Sequence, residues 1–398
     1  MTLPGTEARA RKDVPMLMRL ASASVTLALA ATLVAPLGAA AAAVPAGAPV
    51  VMGAILSTTG PFAPLGEPES NAIRIAERDI NDRGGINGHP LSIEIVDDQG
   101  KPDTASQLAT QFISKHVAAI IGGTTSTTTG AIARVTTAGN TLQIYPTPTA
   151  VFWDSKSGVV KNIFETTPRN EVEAVALINF AEKKFNAKKF AILHDENTVG
   201  TVGATVAVAE LATRKLEVIA NETYPTDATD VTGQLLKIKA SGADTLILWG
   251  ASPALGIIAR QIKQLGLTQN VISSTGTLSD NFLRVAGSAA DGLYSDSALN
   301  FTHPSKATQT FLTLYRETYK KRAVQFASFA WDAVHLAALA LARAHGKTDV
   351  DSLAGALESG APYIGSTAEY RFTPRDHNGV TAAAVHMAIA KGGVWFTL

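Results

Sequence analysis

Short apolar runs alternate along this chain with longer stretches in which apolar positions recur every three or four residues. The run 49–57 (PVVMGAILS) reads as a buried strand, and 71–83 as a helix with Ile73, Ala76 and Ile80 on one stripe. Between them, 58–68 (TTGPFAPLGEP) holds three prolines and two glycines and is expected to be a loop. Strands at 91–96, 118–121 and 142–145 then alternate with helices at 104–115 and 130–138. A second series follows, with helices at 171–185, 201–214, 231–240 and 253–265 and strands at 190–193, 217–224, 245–249 and 271–273. The tail 306–359 is mostly helical, and its Ala-rich stripe is expected to pack on one of the sheets. Strands alternating with helices of about 10–15 residues imply parallel sheets covered by helices on both faces. Two such series imply two doubly wound α/β domains. No low-complexity linker separates them, so a close, hinged interface is expected.

Composition narrows the function classes. The chain has 398 residues, 46% of them apolar and 17% charged, which supports packed cores. Lys+Arg and Asp+Glu number 34 each, so no overall basic field favours nucleic acid. The absence of cysteine excludes disulfides, thiolate metal sites, a cysteine nucleophile and a lipidated cysteine. At the N-terminus, Arg9, Arg11, Lys12 and Arg19 precede an uncharged stretch, 20–44, that ends in small residues. That order is a secretory signal peptide, expected to occupy 1–43 with cleavage near Ala41 to Ala43. Met16 or Met18 as the start would leave a more usual basic region. A bacterial periplasm is the simplest compartment.

The most informative local pattern is 120–133 (IIGGTTSTTTGAIA), a strand leading into glycines and hydroxyl residues and then a helix. Such a turn aims backbone N–H groups, hydroxyls and the positive end of a helix at whatever lies beyond the strand, which suits a carboxylate. It lacks the Lys-Ser/Thr pair of a phosphate loop. The plain alternative is that Ser126 or Thr127 caps its helix. A second polar cluster, Tyr145 to Thr149 (YPTPT), follows the next strand, and ligands of open parallel sheets bind outside such strand ends. There is no G-x-S-x-G elbow, no H-E-x-x-H and no G-x-G-x-x-G. His194-Asp195-Glu196 is unsuited to one metal because adjacent strand residues point apart. Asp97, Asp98 and Asp103 read as a solvated acidic loop.

Taken together, these stretches resemble the periplasmic leucine/isoleucine/valine-binding proteins, the branched-chain amino acid group of type I solute-binding proteins that serve ABC transporters. The resemblance spans nearly all of the chain after the signal and rests on 57–66 (STTGPFAPLG), 79–88 (DINDRGGING), 96–105 (VDDQGKPDTA), 120–126 (IIGGTTS), 145–150 (YPTPTA) and 191–200 (AILHDENTVG), in that order. It implies an α/β fold of two Rossmann-like doubly wound lobes joined by a three-strand hinge. Lobe I would hold 46–167 plus 298–372, and lobe II 168–297 plus 373–398. The solute would lie in the interlobe cleft, gripped by hinged closure, with an inner-membrane ABC permease as partner. No cofactor, no metal, no catalysis and no nucleic acid are expected, and the receptor would be a monomer.

The resemblance also places candidate ligand residues. Ser126, Thr147 and Thr149 match the family's grip on the α-carboxylate and ammonium, and Thr127 beside them is a further candidate ligand residue. Val199 and Ala251 stand where tyrosines are often found, Thr275 where a glutamate pairs the ammonium, and Leu65 where an aromatic often sits. Trp153, with Phe62, Phe152 and Trp249, is a candidate wall. A buried ammonium without a counter-charge costs several kcal/mol. The expectation is therefore a compact carboxylate without an amine, or an amide, with room beside Val199 and Ala251 for a bulkier aromatic acid. A secreted α/β hydrolase and a ligand sensor on the same fold are the alternatives.

Overall fold

The computed structural model describes residues 44–147 and 159–398. The expected signal peptide lies outside the described residues, as do Thr149, Phe152 and Trp153.

The first half follows the alternation closely: β1 (Val50–Leu56), α1 (Ala63–Asp82), β2 (Leu91–Asp97), α2 (Pro102–Ser114), β3 (Ile120–Gly122), α3 (Ser126–Ala138), β4 (Gln143–Tyr145) and β5 (Ile163–Glu165). The strands form one parallel sheet in the order β2-β1-β3-β4-β5. Ala54 of β1 aligns with Ile121 of β3, which aligns with Ile144 of β4, and all three are buried. Helix α1 starts earlier than expected, inside the Pro-rich segment. Pro64 falls in its first turn, where a missing N–H costs nothing, and Pro68 is tolerated one turn further on.

The chain then builds α4 (Asn170–Phe185), β6 (Lys189–Asp195), α5 (Thr198–Thr213), β7 (Glu217–Tyr224), α6 (Thr232–Ser241), β8 (Thr245–Trp249), α7 (Ala254–Gln264), β9 (Asn270–Ser273), α8 (Asp280–Ala286) and β10 (Tyr294–Ser297). It returns to the first sheet with α9 (Lys306–Tyr319), α10 (Gln325–Arg343), α11 (Val350–Glu358) and the short pair β11 (Tyr363–Ile364) and β12 (Glu369–Tyr370). It ends in the hairpin β13 (His386–Lys391) and β14 (Val394–Thr397). The second sheet has the order β14-β13-β10-β9-β8-β6-β7. It is not wholly parallel as expected: β13 pairs antiparallel with β10, and β14 with β13. An antiparallel hairpin closes a sheet edge with a short turn, here Gly392 and Gly393 at positive φ, where a parallel strand would need another crossover helix.

Each sheet is covered on both faces. The Ala-rich α10 packs with α1, α9 and α11 on one face of the first sheet, and α2 and α3 cover the other. Helices α6, α7 and α8 share a core with one face of the second sheet, and α4 and α5 with the other. Helix α10 is long and apolar enough to cross a membrane, but 83% of its apolar window is buried within the protein.

The chain passes between the sheets after β5, after β10 and after β12. Buried polar groups tie these crossings together. Asp332 of α10 accepts from Ser366 N (2.7 Å), Thr367 N (3.1 Å), Thr367 Oγ1 (2.7 Å) and Tyr370 Oη (2.9 Å). Tyr370 Oη also contacts Thr166 O at 2.8 Å. Asn378 Nδ2 donates to Glu165 Oε2 (3.1 Å), and Thr167 Oγ1 to Glu165 Oε1 (2.8 Å). Burial raises the Asp332 carboxyl above its usual range, opposed by these donors. Asp332→Ala strands several buried donors at once and is expected to cost about 3 kcal/mol or more. Denaturant unfolding of the purified variant measures this loss.

Candidate ligand-binding site

Every strand of a parallel sheet delivers its following loop to the same end. In the first sheet, β3 runs into Gly123, Thr124 and Thr125. Thr125, rather than Ser126 or Thr127, is the N-cap of α3: its Oγ1 accepts from Thr128 N at 3.2 Å in a reciprocal capping box. Ser126 is the first helical residue and is buried. Thr127 is exposed, with Oγ1 3.4 Å from Thr198 Oγ1 at the start of α5. Thr147, after β4, donates to Gly123 O at 2.5 Å, so β3 and β4 hand their loops to one spot. Thr124 Oγ1 accepts from Ser57 N (3.0 Å) and donates to Glu69 Oε2 (2.6 Å). Asp98 is not a solvated loop residue as expected. It is buried, accepting from Ser57 Oγ (2.6 Å) and Gly100 N (2.8 Å), because the loop after β1 folds over the end of β2.

The second sheet presents three loops to the same space. Asn197 caps α5 through Gly200 N and sets Val199 in its first turn. Gly250 and Ala251 follow β8, and Ser274, Thr275 and Gly276 follow β9. These last two loops touch: a Cβ on Gly276 would lie 1.8 Å from Gly250 O. Trp249 is a wall, and Gly203 of α5 makes room for its indole, since a Cβ there would lie 1.8 Å from Nε1.

Between the two sets of loops lies a small cavity with about 20 Å³ of free volume. Leu65, Thr147, Val199, Ala251 and Thr275, all read from the sequence, line it. Thr124 and Thr125 do too, whereas Ser126 and Thr127 are not among its lining residues. Leu65 shares an apolar cluster with Phe326 and Phe329, against which Phe62 and Ala251 pack. The N-termini of α3 and α5 therefore face the cavity from opposite sheets. Each carries roughly half a positive charge, a pairing suited to an anion.

Asn170, Glu173 and Phe326 also line the cavity and were missed in the sequence, as was Asp296, whose side chain is hydrogen-bonded to Glu173. Glu173 lies in the first turn of α4 and Asp296 in β10, so only the crossing of the chain between the sheets brings them together. Both are buried. Burial, reinforced by Asp296 and then by Glu165 and Glu171, raises the Glu173 carboxyl well above its usual range. Burial lifts Asp296 to about 7, opposed first by its hydrogen bond with the Glu173 side chain and then by its own N–H and that of Thr275, which favour its charged form. The expectation that this end of the site lacks a carboxylate, drawn from Thr275 alone, is thus overturned. The His194 ring contacts Asp195 O and Thr223 Oγ1, and no group of metal-ligating side chains occurs among the described residues.

Because the folded pKa of Asp296 exceeds the unfolded value of 3.8, the folded protein keeps a proton that the unfolded chain releases. Stability from this group therefore falls as pH rises from about 4 through 7. Asp296→Asn is expected to be more stable than the parent at pH 8 and little changed at pH 4. Melting temperatures across that range check it.

Comparison with known proteins places this arrangement. A family model described as periplasmic binding protein matches residues 49–393. The Leu/Ile/Val-binding protein BraC3 of Rhizobium johnstonii is 26% identical over 332 residues, 83% of this chain and 89% of that one. The branched-chain amino acid substrate-binding protein LivJ of Streptococcus pneumoniae, solved with isoleucine, superposes with a TM-score of 0.78 at 24% identity, covering 88% of this chain and 99% of that one. A solute-binding protein from Rhodopseudomonas palustris, solved with 3,4-dihydroxybenzoic acid, gives 0.77 at 21% identity, with 88% and 96% covered. Two α/β sheets whose strand ends and helix N-termini enclose one cavity, and a family match over nearly all of the described chain, lead to one conclusion: this chain belongs to the periplasmic binding protein family.

Proposed function

We propose that the chain is an exported solute receptor of an ABC importer, and that its action is binding without chemistry. The observation that carries this reading is the cavity between the carboxyl ends of the two sheets, flanked by the N-termini of α3 and α5. The solute is a small carboxylate or amino-acid-like molecule. Its carboxylate docks against Ser126, Thr127, Thr147 and Thr149, and its body lies among Leu65, Val199, Ala251, Thr275 and Trp153. BraC3 and LivJ, whose names carry branched-chain amino acids, support the class of solute.

The lobes are 46–167 with 298–372, and 168–297 with 373–398. A cavity of about 20 Å³ holds roughly one water, so a solute enters when the lobes part and is enclosed when they close. Closure is driven only by the solute's greater affinity for the closed form, and the closed surface is what an inner-membrane permease reads. The receptor acts as a monomer in the periplasm, without cofactor, metal or nucleic acid.

Thermal unfolding against leucine, valine, short amides and aliphatic and aromatic carboxylates tests this. A solute at 100 times its Kd stabilises by about 2.7 kcal/mol, a shift of several degrees. The double variant Ser126→Ala, Thr149→Val is expected to lose about tenfold or more in affinity while its circular dichroism stays unchanged. Full affinity in that variant would remove the assigned grip.

A further inference from the structure

A second cavity, of about 540 Å³, shares no lining residue with the one between the strand ends. Its volume is in the range of sites that hold small organic molecules. Its walls come from three segments: 298–308, which leads from β10 into α9; 364–371, around β11 and β12; and 379–386, which leads into β13. These belong to the second and third passages of the chain between the sheets. Ser297 of β10 lies opposite His386 of β13, so the two passages meet there side by side. Arg371 N donates to Gly379 O at 3.4 Å and ties the second segment to the third. Phe301 N and Thr302 Oγ1 donate to Thr397 Oγ1 (2.8 Å) and Thr397 O (2.6 Å), which fixes the first segment on β14.

The polar groups that line this cavity are unequally satisfied. Asn300 Oδ1 accepts from Thr302 N (3.1 Å) and His303 N (2.8 Å). Glu369, the one acid among the described lining residues, accepts from Arg371 Nη2 at 2.8 Å. The groups without a hydrogen-bond partner among the described residues are mainly donors: Asn300 Nδ2, Thr381 Oγ1, the imidazoles of His303 and His386, and the rest of the Arg371 guanidinium. His386 is half-buried, and desolvation holds its imidazole below the usual range with no acid opposing it. Alanines from each segment, Ala298, Ala368 and Ala383, add apolar wall. An excess of donors calls for a ligand rich in acceptor oxygens. These donors come from all three segments, and a lone carboxylate is too small to reach three walls of such a space. An acid with several carboxylates on a short carbon skeleton can reach them, its methylenes lying against the alanines.

We propose that this cavity is a second binding site, for a small acid carrying two or three carboxylates, with Arg371 and the imidazoles of His303 and His386 as its principal donors. Arg371 meets one carboxylate through charge-assisted N–H bonds, and the imidazoles, with Asn300 and Thr381, meet the others. The site is separate from the solute cavity and stands or falls independently of which solute that cavity takes.

The test is calorimetric titration of the purified protein with citrate, and with trimethyl citrate, which keeps the skeleton and removes the charges. Citrate is expected to bind with a Kd of about 1 mM or tighter, and the ester at least about tenfold more weakly. Arg371→Gln and His386→Gln are each expected to weaken citrate binding by about tenfold or more. The Arg371 side chain is mostly exposed, so its replacement leaves the fold intact, and circular dichroism checks both variants. Ser126→Ala with Thr147→Val, in the other site, is expected to leave the citrate affinity within about twofold. In NMR spectra, the imidazole C–H signals of His303 and His386, identified by their loss in the Gln variants, are expected to shift with citrate. Three results would each overturn the proposal: a parent that does not bind citrate, an affinity unchanged in folded Arg371→Gln and His386→Gln, or an affinity lost in the Ser126/Thr147 variant, which would place citrate between the strand ends.

Discussion

The structure depends on how it buries negative charge where its two sheets meet. Glu165, Glu173, Asp296 and Asp332 all lie at or beside the segments that carry the chain from one sheet to the other, and all are buried. A buried carboxylate must be given donors, be protonated or find a cation. The protein uses the first solution for Asp332 and Glu165, drawing donors from Ser366, Thr367, Tyr370 and Asn378. The Asp332 bonds join α10 to the β11–β12 segment and through Tyr370 to Thr166 of the first crossing, and Asn378 of the third crossing bonds Glu165 at the start of the first. The crossings are thereby registered against one another while the sheets they connect remain separate cores.

Glu173 and Asp296 lean toward the second solution: burial raises both carboxyls above their usual range, and the two side chains are hydrogen-bonded to each other. That arrangement costs stability near neutral pH, and removing one acid relieves the cost. A site that destabilises its own fold is ordinarily one where function requires the groups to be incompletely paired.

The fold alone does not choose the ligand. Proteins that superpose equally well on this chain have been solved with isoleucine and with an amine-free aromatic acid. What such ligands share is a carboxylate; they differ in the ammonium and in the whole of the body attached to it. The anion-binding half is built from backbone and helix ends, which any sequence with a strand-turn-helix of the right geometry supplies.

Alternating apolar runs and helical stripes were enough to read most strands and helices within a few residues, because each sheet's burial on both faces imposes its own period. Strand 217–224 and strand 245–249 are observed with those bounds. Two edges were not legible. Helix α1 begins within a Pro-rich stretch because proline is harmful only where its N–H would have been bonded. The hairpin β13–β14 carries too short a pattern to distinguish an edge strand from a loop. Of the site, Thr147 was legible as part of the polar cluster that follows a strand, whereas Leu65, Val199, Ala251 and Thr275 were placed by the family resemblance; all five line the cavity. Asp98, Glu173 and Asp296 were beyond its reach. Their meaning lies in burial and in partners more than a hundred residues away for the Glu173–Asp296 pair, and local periodicity carries no information about which distant carboxylates the crossings will press together. The sequence by itself determined two doubly wound sheets and a carboxylate-sized polar turn; only the tertiary structure decided that a carboxylate pair would face that turn, because desolvation and charge act through space.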